Sequence, residues 1–139
     1  MDQEGGPIAD WESARNRIQT FVDERDWDQF HNIKDLAIGL GSEAGELLEQ
    51  VLWKSPEALS AELREDGPAR EAILDEVADI LFYVIRLMDK LGADPWENLE
   101  RKLASNSSKY PADLVRGRSD KYTAYERGSA GSTERKEEK

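Results

Sequence analysis

Cysteine is absent from the 139 residues, and histidine occurs once, at His31. No disulfide framework or thiol chemistry is therefore available, and a metal site built on sulfur or on clustered imidazoles is excluded. Basic charge is also scarce: 19 Lys and Arg stand against 30 Asp and Glu, a formal net charge of −11. Binding to a nucleic-acid polymer or an anionic membrane needs a basic face, so neither partner is expected. No apolar run approaches the roughly 18 residues of a membrane span. The start Met1-Asp2-Gln3-Glu4-Gly5-Gly6 lacks the basic and apolar regions of a signal peptide. The chain reads as soluble and cytoplasmic, and its length suits a single domain.

What the chain has in abundance is acid, and one arrangement of it stands out. Ser42-Glu43-Ala44-Gly45-Glu46-Leu47-Leu48 is echoed 33 positions later by Asp75-Glu76-Val77-Ala78-Asp79-Ile80-Leu81. On a helix, acids at i and i+3 are neighbours on one face. Leu36, Leu40, Ala44, Leu47 and Val51 form an apolar arc bordered by Glu43 and Glu46. Ile73, Val77, Ile80, Val84 and Leu87 form another beside Glu76 and Asp79. If these arcs pack antiparallel, four carboxylates converge on one rim and repel unless a cation sits among them. A single acidic pair is ordinarily a solvated face, and Glu62/Glu65 and Asp23/Asp26 are given no role. Two pairs in matching phase against matching arcs point to a divalent-metal site. An all-oxygen donor set favours Mg²⁺ or Mn²⁺ over Zn²⁺.

Along the chain, residues 1–9 read as a flexible leader. Asp10 is an N-cap candidate for a helix reaching about Arg25, and Asp26 to Asn32 breaks the helical period as a loop carrying Trp27, Phe30 and His31. A second helix is expected from Ile33 to about Trp53, with Gly39, Gly41 and Gly45 spaced for close approach of a neighbour. Ser55-Pro56-Glu57 starts a short helix to about Leu63. The third main helix runs from about Ala69 to Leu91 and stops at Gly92, and Asp94-Pro95 opens a fourth to about Ser107. No run alternates as a strand does. The expected fold is all-α, a four-helix-type bundle spanning residues 10–125, followed by a tail at 126–139 of disordered composition.

With these residues in view, the chain resembles the all-α nucleoside triphosphate pyrophosphohydrolases of the MazG superfamily, and within it the small dCTP pyrophosphatase-like branch. The resemblance spans roughly residues 15 to 125. It rests on Arg25-Asp26-Trp27-x-x-Phe30-His31, the Glu43/Glu46 and Glu76/Asp79 pairs, Trp53-Lys54, and Lys102-x-x-x-Asn106-x-x-Lys109-Tyr110-Pro111. It implies Mg²⁺, with Mn²⁺ as a substitute, held by Glu43, Glu46, Glu76 and Asp79, which would also be the catalytic residues. One of them, or Asp75 or Glu49, would activate the attacking water. It further implies phosphate contacts from Lys54, Lys102, Asn106 and Lys109, joined by Lys121 or Tyr122, with Tyr110 in the same motif as Lys109. Trp27, His31, Trp53 and Tyr83 would shape a base and sugar pocket. The implied reaction is hydrolysis of a nucleoside triphosphate, dCTP or a related dNTP, to monophosphate and pyrophosphate by a homo-oligomer, dimer or tetramer. Where the branch commonly has Pro and then Asn after Phe-His, this chain has Ile33 and Asp35, which bears on base and sugar preference. Two alternatives stand beside this reading: a non-catalytic helical dimerisation or regulatory module, and a phosphoribosyl-ATP pyrophosphohydrolase.

Overall fold

The structure is a computed structural model that describes residues 7–121 and 123. All its regular elements are helices, as the sequence leads one to expect: α1 Trp11–Asp23, α2 Ile33–Val51, α3 Pro56–Glu62, α4 Pro68–Lys90, α5 Pro95–Lys109 and α6 Ala112–Val115. The expected tail at 126–139, and most of the expected leader, lie outside the described residues. The chain divides into two compact units, Met1–Ala93 and Asp94–Lys139.

Local chemistry sets the helix starts in the first unit. Asp10 caps α1 by accepting from the Ser13 N–H at 2.8 Å, while the Ser13 hydroxyl accepts from the Asp10 N–H at 3.0 Å, a reciprocal capping box. Asn32 caps α2 through the Asp35 N–H at 3.0 Å. Ser55 caps α3 ahead of Pro56, and Gly67 precedes Pro68 at the start of α4. Gly92, with φ of +59°, stops α4 in a left-handed conformation that costs a glycine little. α1 and α2 each end two residues short of the expected boundary. Between them Asp28–Phe30 forms one 3₁₀ turn, entered through Asp26 at φ +53°.

α2 packs along α4, and α1 packs on α4 as well. Gly39 faces Tyr83, Glu43 faces Asp79 and Glu46 lies with Glu76. The numbers rise on one helix as they fall on the other, so the pair is antiparallel. Of the three glycines expected to admit a neighbour, only Gly39 does so here. A Cβ there would clash with the hydroxyl-bearing edge of the Tyr83 ring, whereas one at Gly41 or Gly45 meets nothing within 4 Å.

Among the described residues the buried apolar ones are few: Ala14, Val22, Leu36 and Ile85. The inward arc of α4 also differs from the one read off the period. Ile73, Ile80 and Leu87 are half-buried, but Val77 and Val84 join Leu74 and Leu81 in an exposed stripe. Ile38 and Leu48 on α2, and Leu52 at its C-cap, are likewise exposed.

In the second unit, Asp94 caps α5 by accepting from the N–H groups of Trp96 and Glu97 at 2.8 and 2.9 Å, with Pro95 at the first helical position. α5 runs two residues past the expected end. α6, which the sequence reading did not anticipate, follows directly after Pro111.

Candidate functional site

The antiparallel pairing of α2 and α4 brings carboxylates of Glu43, Glu46 and Glu76 within 4.8 Å of one another. Asp79, one turn along α4 from Glu76, lies outside that triad but close enough to act electrostatically on Glu43 and Glu76. Partial burial pushes the Glu43 carboxyl above its usual range, and the charges of Glu46, Asp79 and Glu76 push it further. Glu76 is raised in the same way, by desolvation first and then by Glu46, Asp79, Asp75 and Glu49. Like charges crowded against helix backbones disfavour ionisation, and a divalent cation would relieve this. The donors are all oxygen, as a hard cation requires.

A cleft of about 490 Å³ opens beside these acids, and Glu43 and Asp79 line it. Its aromatic wall is made by Phe21 from α1, Trp27 from the turn, and Phe82 and Tyr83 from α4. Ile8, Ile18 and Arg17 complete the lining. The rings brace one another edge to face, Phe21 to Trp27 at 5.8 Å, Phe21 to Phe82 at 6.2 Å and Phe82 to Tyr83 at 5.6 Å between centroids. The Arg25 guanidinium sits 3.7 Å from the Phe21 ring centre, a cation–π contact that further restrains the ring.

Of the expected pocket residues, Trp27 and Tyr83 line the cleft. His31 does not. It stands behind the wall, its ring 6.3 Å from that of Phe82, with Nδ1 accepting from Arg86 Nε at 3.2 Å. Trp53 is 89% exposed, and Lys54 is paired with Glu62 across α3. Lys102, Asn106 and Lys109 fall at i, i+4 and i+7, which puts them on one face of α5. Tyr110 is the C-cap residue of that helix, and Lys121 lies beyond α6. Sequence reasoning missed Arg17, Ile18, Phe21 and Phe82 as cleft residues. The i, i+4 spacing of Arg17 and Phe21, and the position of Phe82 three residues after Asp79, are the signals that could have found them.

The structure thus sets clustered carboxylate oxygens beside a cleft walled by aromatic rings. The profile of the MazG-like family matches residues 38–124, and the chain belongs to that family. It is 34% identical over 129 residues to dCTP pyrophosphatase 1 of Rattus norvegicus, covering 88% of this chain and 72% of the rat protein. It is 34% identical over 124 residues to dCTP pyrophosphatase 1 of Homo sapiens, covering 85% of this chain and 69% of the human protein. Among solved structures it resembles a pyrophosphatase of Archaeoglobus fulgidus, with a TM-score of 0.66 and 29% identity over 78% of this chain and 99% of the archaeal one.

Proposed function

We propose that this protein hydrolyses a deoxynucleoside triphosphate, dCTP or a close relative, to the monophosphate and pyrophosphate with a divalent cation, Mg²⁺ by preference. The chain is an enzyme, a nucleoside triphosphate pyrophosphohydrolase. The observation that carries the finer reading is adjacency: Glu43 and Asp79 line the aromatic cleft and also belong to the acidic cluster. A base held against Trp27 and Tyr83 leaves its phosphates beside the carboxylates.

Glu43, Glu46 and Glu76 would hold the cation, with Asp79 alongside. When bound, the cation neutralises charge on the phosphates and acts as a Lewis acid at phosphorus. The chain's own residues do the rest. The aromatic wall offers a stacking surface worth about 1–3 kcal/mol per base. Arg17 supplies a guanidinium in the cleft. Asp75 and Glu49 flank the cluster and can orient the attacking water. Its oxygen bonds to the α-phosphorus, the bridge to the β-phosphate breaks, pyrophosphate leaves and a proton is released. A non-catalytic dimerisation module has no need of such a cleft beside clustered acids.

We also assign the chain to a homo-oligomer. Leu74, Val77, Leu81 and Val84 recur at three- and four-residue spacing on α4 yet stay exposed, and Ile38 and Leu48 on α2 and Leu52 at its C-cap are exposed as well. Stripes with that spacing are seams for another helix. A sedimentation mass of one chain at micromolar concentration would contradict the assignment.

The reaction is tested with a panel of ribo- and deoxynucleoside triphosphates and phosphoribosyl-ATP, assayed for pyrophosphate release with Mg²⁺. A deoxynucleoside triphosphate, dCTP foremost, should be the best substrate. Preference for phosphoribosyl-ATP, or no pyrophosphate from any substrate, would overturn the reading.

A further inference from the structure

Arg86 is fully buried, a costly place for a guanidinium unless its donors are matched. They are. Nη2 donates to Asp28 at 2.8 Å, Nη1 to Gln19 at 2.6 Å and to Asp89 at 3.2 Å, and Nε to Nδ1 of His31 at 3.2 Å. Lys90 also donates to Asp28 at 2.8 Å, and Arg15 pairs with Asp89 at 3.7 Å. One side chain of α4 thus ties down α1 through Gln19 and the 3₁₀ turn through Asp28 and His31.

The network lies directly behind the cleft wall. Asp28 follows Trp27 in the chain, and the His31 ring backs onto Phe82. Both Trp27 and Phe82 line the cleft. The contact with Arg86 also settles the chemistry of His31. A guanidinium can only donate, so Nδ1 must keep its lone pair, and a neutral imidazole then carries its proton on Nε2.

We propose that Arg86 is a positioning residue for the nucleotide-binding wall: it locks His31 as the neutral Nε2–H tautomer and pins the Asp28 turn, so that Phe82 and Trp27 hold their places in the cleft. This rests on the reading of the cleft as the base site. The surrounding charges agree with it. Burial holds the His31 pKa below 6.5; the positive charges of Arg86 and Lys90 act in the same direction, and Asp28 opposes them. With its pKa depressed in the folded state, neutral His31 contributes stability that is complete above pH 6.5 and is lost as pH falls through the folded value. Protonation must break the bond from Arg86 and so loosen the wall.

Because His31 is the only histidine, its ¹⁵N signals in labelled full-length protein need no assignment by mutation. In the wild type at pH 7, Nδ1 should show the unprotonated shift and Nε2 the protonated one, with a midpoint below 6.5. A protonated Nδ1, or titration at 6.5 or above, overturns the proposal whether or not the enzyme is active. In Arg86→Lys, an ammonium cannot serve four acceptors. The tautomer should no longer be fixed, the histidine midpoint should rise, and KM should increase about tenfold, less than the roughly hundredfold effect of a full ångström's misplacement. The rate at saturation should hold, and KM should acquire a pH dependence near the new midpoint. A variant with unchanged tautomer and KM, or one that loses kcat at constant KM, contradicts a positioning role. If that variant fails to fold, Asp28→Asn, which keeps Arg86 and His31, should raise KM with Nδ1 still unprotonated; an unchanged KM there is equally contrary. Failure of the whole nucleotide panel would sink the base-site reading and leave the wild-type ¹⁵N result to stand or fall by itself.

Discussion

Replacing Glu46 by Gln is expected to lower kcat/KM by on the order of 10³-fold, the upper scale for losing one electrostatic stabiliser of a transition state, while the helices stay folded. Glu46 lies within 4.8 Å of Glu43 and Glu76 and raises the pKa of both. The amide keeps the shape and removes the charge, so cation affinity falls while crowding among the remaining acids eases. Glu43 and Glu76 have folded-state pKa values above their ordinary 4.5. Their contribution to stability is therefore greatest below that value and is lost as pH rises through the folded values. At pH 7 and without divalent ions, the variant should melt at the same temperature as the wild type or higher. Adding Mg²⁺ should raise the wild-type melting temperature by mass action and the variant's far less. Asp79→Asn should show the same pattern. Full activity in both variants, measured with saturating Mg²⁺, would remove the carboxylate cluster from the mechanism.

Trp27→Ala carries the next largest expected effect. Trp27 lines the cleft and braces Phe21 edge to face, so its loss removes a stacking surface and loosens a second ring. At about 1–3 kcal/mol for a stacked base, KM should rise by roughly 5- to 150-fold. kcat should change little, because the carboxylates proposed to act at the phosphates are untouched. Phe30→Ala is the control: an exposed ring in the same turn and outside the cleft lining, whose removal should leave KM unchanged. Steady-state kinetics on the preferred triphosphate distinguish the two. Equal KM values for Trp27→Ala and the wild type would show that the base binds elsewhere.

The pairing within each helix was legible because it is local: helical period puts Glu43 beside Glu46 and Glu76 beside Asp79. The apolar arcs that imply a meeting of the two helices hold only in part on α4, where Ile73, Ile80 and Leu87 are half-buried but Val77 and Val84 are exposed. The caps at Asp10, Ser55 and Asp94 were legible because they too are local, each satisfying N–H groups within three residues of itself, whereas Asn32, which caps α2, reads from the sequence only as the end of a loop. The cleft was only half legible. Trp27 stands out in a polar turn, but Phe21 and Arg17 belong to it only because α1 packs on α4, and the pattern of α1 alone does not say which face of α4 it meets. Arg86 was invisible: it sits in the longest helix described, among apolar neighbours, and its acceptors Gln19, Asp28 and His31 lie 55 to 67 residues away in sequence. The glycines of α2 show the opposite error. Three looked equivalent by spacing, yet only Gly39 stands against a ring. Trp53 and Lys54 share a motif that points to the pocket, yet within one chain the first is almost fully exposed and the second is paired with Glu62.

The account turns on where the triphosphate is cut. If the cleft fixes the base and the carboxylates sit beside the α-phosphate, water must add there and pyrophosphate must leave. Hydrolysis of the preferred deoxynucleoside triphosphate in ¹⁸O-labelled water, with products separated and weighed by mass spectrometry, reads this directly. One labelled oxygen in the nucleoside monophosphate and none in the pyrophosphate is the predicted result. Label in pyrophosphate, or orthophosphate and a nucleoside diphosphate as first products, would contradict it.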